Sequence, residues 1–274
     1  MEKNDQNYEY TFPDEIAERI NNCLGWGNTG FIELVPPGDR VRKFPHPQNR
    51  GYDKQWQVQQ LCREVEVYQW LPKIHPRLVQ MFDYSLDVDD AFVTLEYMPT
   101  GTLSKYLASD QPISDAQRAA WCFEAAEAVA LLHSHNIIHA DIKPENMVLD
   151  KNLGLRIIDL SGCAIDVKDP LCLESTRYYL PRDMKTDPLC SVETDLFALG
   201  SSLYEIAAGV PPYSQLEDED VEERYRKGEF PPLQGLMCAS VIQACWRCEY
   251  ISAEDVVAAI QDHHGPSMSR RYVS

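Results

Sequence analysis

The run His139-Ala140-Asp141-Ile142-Lys143-Pro144-Glu145-Asn146 sets an acid, a base and an amide within eight residues. Asp141 can accept a proton, Lys143 can neutralise a phosphate, and Asn146 can ligate a cation through its side-chain oxygen. Thirteen residues after Asn146, Asp159 closes the apolar stretch Leu155-Arg156-Ile157-Ile158. Phosphoryl transfer needs a base, a positive clamp and metal-holding oxygens, and this segment supplies all three.

Several elements must aim these groups. Ser114-Asp115-Ala116-Gln117 fits a capping box, with Ser114 at N-cap and Gln117 at N3. The helix it opens runs through Ala120, Phe123, Ala126, Ala130 and Leu131 to about His133, and its small residues suit a close-packed central position. Asn136-Ile137-Ile138 is a short strand that feeds the loop. Met147-Val148-Leu149 and Leu155-Arg156-Ile157-Ile158 make a hairpin, whose turn returns the chain so that Asn146 and Asp159 become neighbours. Ser191 caps a helix holding Asp195, Leu199, Gly200 and Ile206, stopped by Gly209 and Pro211-Pro212.

Upstream, Phe31–Val35 and Arg40–Phe44 read as strands flanking the turn Pro36-Pro37-Gly38-Asp39. Alternation puts Val41 and Lys43 on one face. Gln55 to Leu71 reads as an amphipathic helix, with Val58, Leu61, Val65 and Tyr68 spaced by three and four. Glu64 and Glu66 both lie on it, about 200° apart around the axis, so only one can face a given partner.

Gly25-Trp26-Gly27-Asn28-Thr29-Gly30 reads G-x-G-x-x-G. Alone this is weak, because it also marks dinucleotide folds, where a helix follows; here a strand follows. With the loop at 139–146 written H-x-D-x-K-x-x-N, the chain resembles eukaryotic protein kinases of the Ser/Thr class, and is similar to compact fungal protein kinases over about residues 20–262. The resemblance implies an α+β, bilobal protein-kinase-like fold: a small antiparallel β-sheet lobe with its αC helix, and a larger, mainly helical lobe. It implies a single domain over 1–274, with the small lobe at about 20–96, a hinge at about 96–101 and the large lobe at about 102–262. The segments 1–12 and 265–274 are expected to fray.

The resemblance also assigns roles. Gly25, Gly27 and Gly30 would cover the phosphates of ATP, with Ile32 after them. Val41 would sit over the adenine and Val148 beneath it, and the backbone of Glu96 and Met98 would bond it, beside Leu95 as gatekeeper. Lys43, fixed by Glu64 in preference to Glu66, would hold the α- and β-phosphates. Asp141 would be the base and Lys143 the clamp, while Asn146 and Asp159 would hold Mg²⁺. Ser175 takes the place of a threonine that bonds the catalytic Asp and Lys, and Asp195 that of a buried carboxylate accepting backbone N–H groups from the catalytic loop. The implied activity is ATP- and Mg-dependent transfer of the γ-phosphoryl group to Ser or Thr hydroxyls of protein substrates.

Three departures stand out. Ala140 replaces an arginine that in many kinases receives a phosphate on the activation loop, so the resemblance implies a kinase that does not require loop phosphorylation or one regulated otherwise. Asp159-Leu160-Ser161 stands for D-F-G, so Ser161 loses the glycine's backbone freedom, although Gly162 follows. Leu180-Pro181-Arg182 stands for A-P-E, and Tyr250 takes the place of the distant arginine that normally pairs with that glutamate; both halves of the ion pair are absent, leaving no lone buried charge. All of Lys43, Glu64, Asp141, Lys143, Asn146 and Asp159 survive, which favours an active enzyme over a nucleotide-binding pseudokinase scaffold. A small-molecule phosphotransferase shares the Asp-to-Asn spacing and the second Asp, but usually lacks Lys143 and a segment ending in x-P-x.

Composition narrows the field. The chain has 274 residues, 44% hydrophobic, with a net charge of −18. That charge repels nucleic-acid backbones and argues against them as partners. No run of eighteen apolar residues and no signal-peptide core at Met1–Asn7 point to a chain outside the membrane, in the cytoplasm or nucleus. Nine cysteines, an odd count, fit reduced thiols; Cys245-Trp246-Arg247-Cys248 reads as two thiols on a helix rather than half a zinc site. The acidic run from Glu217 to Glu223 reads as a solvated helix start, with a dock for basic peptides as the sharper alternative. Oligomeric state is not written in any of these features.

Overall fold

The computed structural model describes residues 23–27, 30–46 and 51–264. The expected frayed ends, 1–12 and 265–274, lie outside them, as do Asn28 and Thr29 of the glycine motif. The chain forms two compact units: one comprises the described residues up to Leu61 with Phe82–Tyr97, the other Cys62–Met81 with Met98 onward. No helix among the described residues is long and apolar enough to cross a membrane, and none of the nine cysteines is in a disulfide.

The first unit is a five-stranded sheet built from β1 (Cys23–Gly27), β2 (Gly30–Val35), β3 (Arg40–Phe44), β4 (Met81–Ser85) and β5 (Phe92–Glu96), in the order β1-β2-β3-β5-β4. β1–β2, β2–β3 and β3–β5 pair antiparallel. Register sets Ile32 opposite Lys43 and Lys43 opposite Val93, with Leu34, Val41 and Leu95 aligned two residues on. Period-two alternation therefore gathers Ile32, Leu34, Val41, Lys43, Val93 and Leu95 on one face, as the sequence predicts for Val41 and Lys43. On the other face Phe31 stacks on Phe44 and meets the His46 ring edge-on, and Arg42 lies 4.3 Å over Phe92. β4 leaves Phe82 and Tyr84 exposed, so it carries no inward apolar alternation in its sequence.

The helix α1 (Gly51–Trp70) begins four residues before the expected Gln55. It changes unit at Leu61–Cys62. From Cys62 on it is tied within the second unit: Arg63 donates to the carbonyls of Cys163 and, at 2.9 Å, Asp169, and Glu66 pairs with Lys168.

The second unit continues through the strand β6 (Gly101–Thr102) and the short helix α2 (Leu103–Leu107) to α3 (Asp115–His133). Ser114 caps α3 by accepting from the Gln117 N–H. The other half of the expected capping box is replaced: the Gln117 side chain donates to the Leu153 carbonyl. α3 is buried along most of its length. Its Glu124 pairs with Arg77 at 3.1 Å and accepts the Leu155 N–H at 2.8 Å. Both side chains of that pair are buried, so each satisfies a charge that would otherwise be stranded. β7 (Ile137–Ile138) pairs with β10 (Ala164–Ile165), and β8 (Met147–Leu149) with β9 (Leu155–Ile157) in the expected hairpin. The helices α4 (Val192–Ala208), α5 (Asp218–Arg226), α6 (Ala239–Trp246) and α7 (Ala253–His264) complete the unit. The acidic run is the solvated start of α5, with Glu217 at its N-cap and Asp218 engaged by Arg177. Cys245 is buried on α6, but Cys248 lies past its end at φ 54°, so the C-x-x-C does not sit on one helix.

α4 opens with Ser191 and Thr194 in a reciprocal capping box and carries two buried acids. Asp195 is fully buried and accepts three bonds: from His139 N–H at 2.8 Å, Ala140 N–H at 2.9 Å and His133 Nε2 at 3.0 Å. Glu205 accepts the Tyr178 hydroxyl. Burial pushes the Glu205 carboxyl up to about 7, against the lowering effect of that hydroxyl.

Removing the Asp195 carboxylate strands two buried N–H donors at about 1–3 kcal/mol each, so Asp195→Ala should destabilise by about 3–5 kcal/mol, measured by urea unfolding, and Asp195→Asn by less. For Glu205 the folded pKa lies above the unfolded one. The native state therefore gains protons, and stability is fully present below about pH 4.5 and lost as pH rises towards 7. Glu205→Gln keeps an acceptor for Tyr178 without the charge. It should match the parent near pH 4 and exceed it by about 3 kcal/mol at pH 8 in the same unfolding assay.

Candidate active site

The loop 139–146 is shaped by Asp195. Binding two successive N–H groups to one carboxylate requires the chain to turn sharply, and Ala140 takes a left-handed φ of 63°. The His139 ring fixes the next residue. Its Nδ1 accepts the Asp141 N–H at 3.2 Å, so its Nε2 must carry the proton that it donates to the Ile158 carbonyl at 3.1 Å. Ile142, fully buried, anchors the middle of the loop.

Three of the predicted site side chains, the catalytic pair and one metal-holding residue, meet directly. Asp141 Oδ2 accepts from Lys143 Nζ at 2.8 Å and from Asn146 Nδ2 at 2.9 Å. Asn146 Nδ2 also donates to the Asp141 carbonyl at 2.9 Å. Because both acceptors face the amide nitrogen, the Asn146 side-chain oxygen is turned away from Asp141 and left for another partner. Asp141 Oδ1 is buried and has no hydrogen-bond partner. Ile158 N–H donates to the Asn146 carbonyl at 2.9 Å, which closes the hairpin and brings the backbone just before Asp159 to Asn146.

Asp159 itself is left-handed, at φ 61° and ψ 58°, and is followed by the 3-10 turn Leu160–Gly162. Ser161 Oγ donates to Asp159 Oδ1 at 2.8 Å. Asp141 and Asp159 also act on a common neighbour: after burial, their two charges are the largest causes that push the Cys172 thiol well up. The Asp159 carboxylate and the Asn146 side-chain oxygen are hard oxygen donors of the kind Mg²⁺ takes. The residues present therefore fit that ion.

In the first unit Gly25 lies opposite Ile32 and Gly27 opposite Gly30. The glycines differ in what demands them. At Gly30, φ is +136° and a Cβ would come 2.2 Å from the Phe44 carbonyl oxygen, so β3 itself excludes any side chain. At Gly25 nothing lies within 4 Å of an added Cβ, so packing within the described residues does not call for a glycine there. Lys43 is buried, whereas Ile32 and Val41 are half-buried. Glu96 ends β5 opposite Arg40. In the second unit Glu64 is buried on α1, and Val148 is buried in β8 opposite Thr102. Met98 is buried at the start of that unit's second segment, its carbonyl accepting the Gly101 N–H.

One expectation is corrected: among the described residues no hydrogen bond joins Ser175 to Asp141 or Lys143, which pair with each other through Asp141 Oδ2. At Arg182 no lone buried charge remains, as expected, although the arginine brings a charge of its own. Its guanidinium pairs with Glu174 at 2.8 Å, both side chains almost wholly buried, donates to the Leu180 and Leu189 carbonyls, and lies 4.4 Å over the Tyr179 ring. Sequence reasoning missed Glu174 and His133 because each is defined by a partner distant in sequence or hidden in an irregular segment.

A family model described as protein kinase domain matches residues 24–246. The chain is 34% identical over 223 residues to Aurora kinase A-A of Xenopus laevis, covering 78% of this chain and 53% of that protein. It is 31% identical over 175 residues to Aurora/IPL1-related protein kinase 2 of Caenorhabditis briggsae, covering 62% and 56%, and 31% identical over 221 residues to Serine/threonine-protein kinase Aurora-1 of Arabidopsis thaliana, covering 78% and 73%. The chain spans about half the length of the first of these curated relatives. That family model covers most of the chain, which belongs to the protein kinase domain family.

Proposed function

We propose that this chain is an ATP- and Mg-dependent protein kinase that transfers the γ-phosphoryl group to Ser or Thr hydroxyls of protein substrates. The observation that carries this reading is the cluster of Asp141, Lys143 and Asn146, in which one carboxylate oxygen is fully engaged and the other is buried and unpartnered. A buried lone pair with no donor is costly unless the reaction supplies one. An incoming hydroxyl does so: Asp141 orients it through Oδ1 and takes its proton as the oxygen–phosphorus bond forms. Lys143, held by the same carboxylate, stabilises charge on the phosphoryl group in transit. The bond from γ-phosphorus to the bridging oxygen breaks, and ADP leaves.

Asn146 and Asp159 would hold Mg²⁺, which when bound neutralises phosphate charge. Lys43 with Glu64 would position the α- and β-phosphates, and Gly25, Gly27 and Gly30 would admit them close to the backbone. The open space at Gly25 supports that role. The half-buried Ile32 and Val41, with Val148, would grip the adenine, and the backbone of Glu96 and Met98 would bond its edge. Acceleration would come mostly from positioning and electrostatics. The name Serine/threonine-protein kinase borne by a relative supports the choice of acceptor. We read residues 23–264 as one kinase domain.

The segment after Asp159 is tied down by side chains of the chain itself. Arg63 binds two of its carbonyls, Lys168 pairs with Glu66, Arg182 with Glu174 and Arg177 with Asp218. Ala140, fully buried, leaves no arginine in the catalytic loop to receive one. This arrangement supports activity independent of loop phosphorylation.

Asp141→Asn should retain Mg-ATP binding in a thermal-shift titration while transfer to a peptide panel falls by about 10²–10⁴-fold; an unchanged rate would refute the base assignment. Nucleotide binding by the parent with no transfer to any peptide would indicate a scaffold instead. Phosphatase-treated protein should keep its transfer rate, and loss of most activity on that treatment would show that a phosphate is required.

A further inference from the structure

We propose that Ser161 is a positioning residue for Asp159, its hydroxyl orienting the carboxylate that receives Mg²⁺. This rests on the reading of Asp159 as a metal-holding group. Ser161 occupies the place where the family pattern has a glycine, and by sequence the change looks like a loss of backbone freedom. The structure removes that concern. Ser161 is not among the residues at positive φ; the left-handed residue of the turn is Asp159. The tight approach falls one residue later, at Gly162, where a Cβ would come 2.0 Å from Cys172 Sγ. The requirement for glycine sits at 162, and position 161 is left to carry a side chain.

That side chain is aimed. The 3-10 turn Leu160–Gly162 brings residue 161 back over Asp159, and Ser161 Oγ donates to Asp159 Oδ1 at 2.8 Å. Ser161 is buried at 1% exposure, so water cannot readily substitute for the carboxylate as its acceptor. A hydroxyl–carboxylate bond is charge-assisted and stronger than a neutral one. It adds a restraint on the orientation of the Asp159 carboxylate, which is how partners of metal-binding carboxylates raise affinity. With glycine at 161 this contact cannot form.

The test is calorimetric titration of MgCl₂ into the protein–ADP complex, with ADP affinity in EDTA and the metal-free melting temperature measured alongside. Ser161→Ala and Ser161→Gly should weaken Mg²⁺ about tenfold, leave ADP binding in EDTA unchanged, and Ser161→Thr should restore the parent value. Mg²⁺ affinity of Ser161→Ala equal to the parent's overturns the proposal. If Ser161→Ala also melts earlier without metal, Ser161→Thr decides: recovered Mg²⁺ affinity supports the positioning role, and no recovery overturns it. Asp159→Asn separates the two readings. If the parent binds Mg²⁺ and Asp159→Asn binds it equally well, the metal-holding assignment falls and this proposal with it. If Asp159→Asn loses Mg²⁺ while Ser161→Ala does not, only the positioning role fails.

Discussion

One carboxylate organises the second unit. Asp195 gathers two consecutive backbone N–H groups and an imidazole, all out of contact with solvent. An ionised group buried without such partners would cost several kcal/mol, so its bonds are obligatory and its geometry is rigid. Because the two N–H groups are neighbours in the chain, satisfying them fixes the left-handed bend at Ala140. That bend decides where Asp141 begins, and the His139 ring decides how it continues. The helix α4 thus acts on the chemistry from behind, without presenting a side chain to the reacting atoms.

From there the order propagates by shared acceptors. Asp141 holds both Lys143 and Asn146 on one oxygen, and Asn146 holds the far strand of the hairpin through its carbonyl. Each group in this chain of bonds is restrained by a neighbour rather than by its own rotamer preference. Pre-organisation of this kind is what phosphoryl transfer demands, since the protein performs little covalent chemistry of its own.

The parts legible in the sequence are those specified by residue type at short, fixed spacing. The loop 139–146, the hairpin leading to Asp159, the alternation of Val41 and Lys43, and the caps at Ser114 and Ser191 all depend on neighbours a few residues away. What escaped depends on tertiary approach. β4 could not be read because its aromatic residues, Phe82 and Tyr84, stay largely exposed, leaving no buried alternation. Gln117 has the right type for a capping box but finds the Leu153 carbonyl, which only the folded hairpin brings near. Ser175 has the expected residue type, yet among the described residues no hydrogen bond joins it to Asp141 or Lys143, which pair through Asp141 Oδ2. Arg182 reads as the loss of an ion pair, whereas it forms a new one with a residue in the irregular stretch before it.

That last pair changes what the segment depends on. Glu174 and Arg182 are eight residues apart, so their contact closes a small loop at low entropic cost. In the family pattern the corresponding bond reaches across to the final helices and makes two remote parts of the fold answer to each other. A bond kept within one stretch of chain severs that dependence. The tail of the fold around Tyr250 thus needs no arginine to complete that bond.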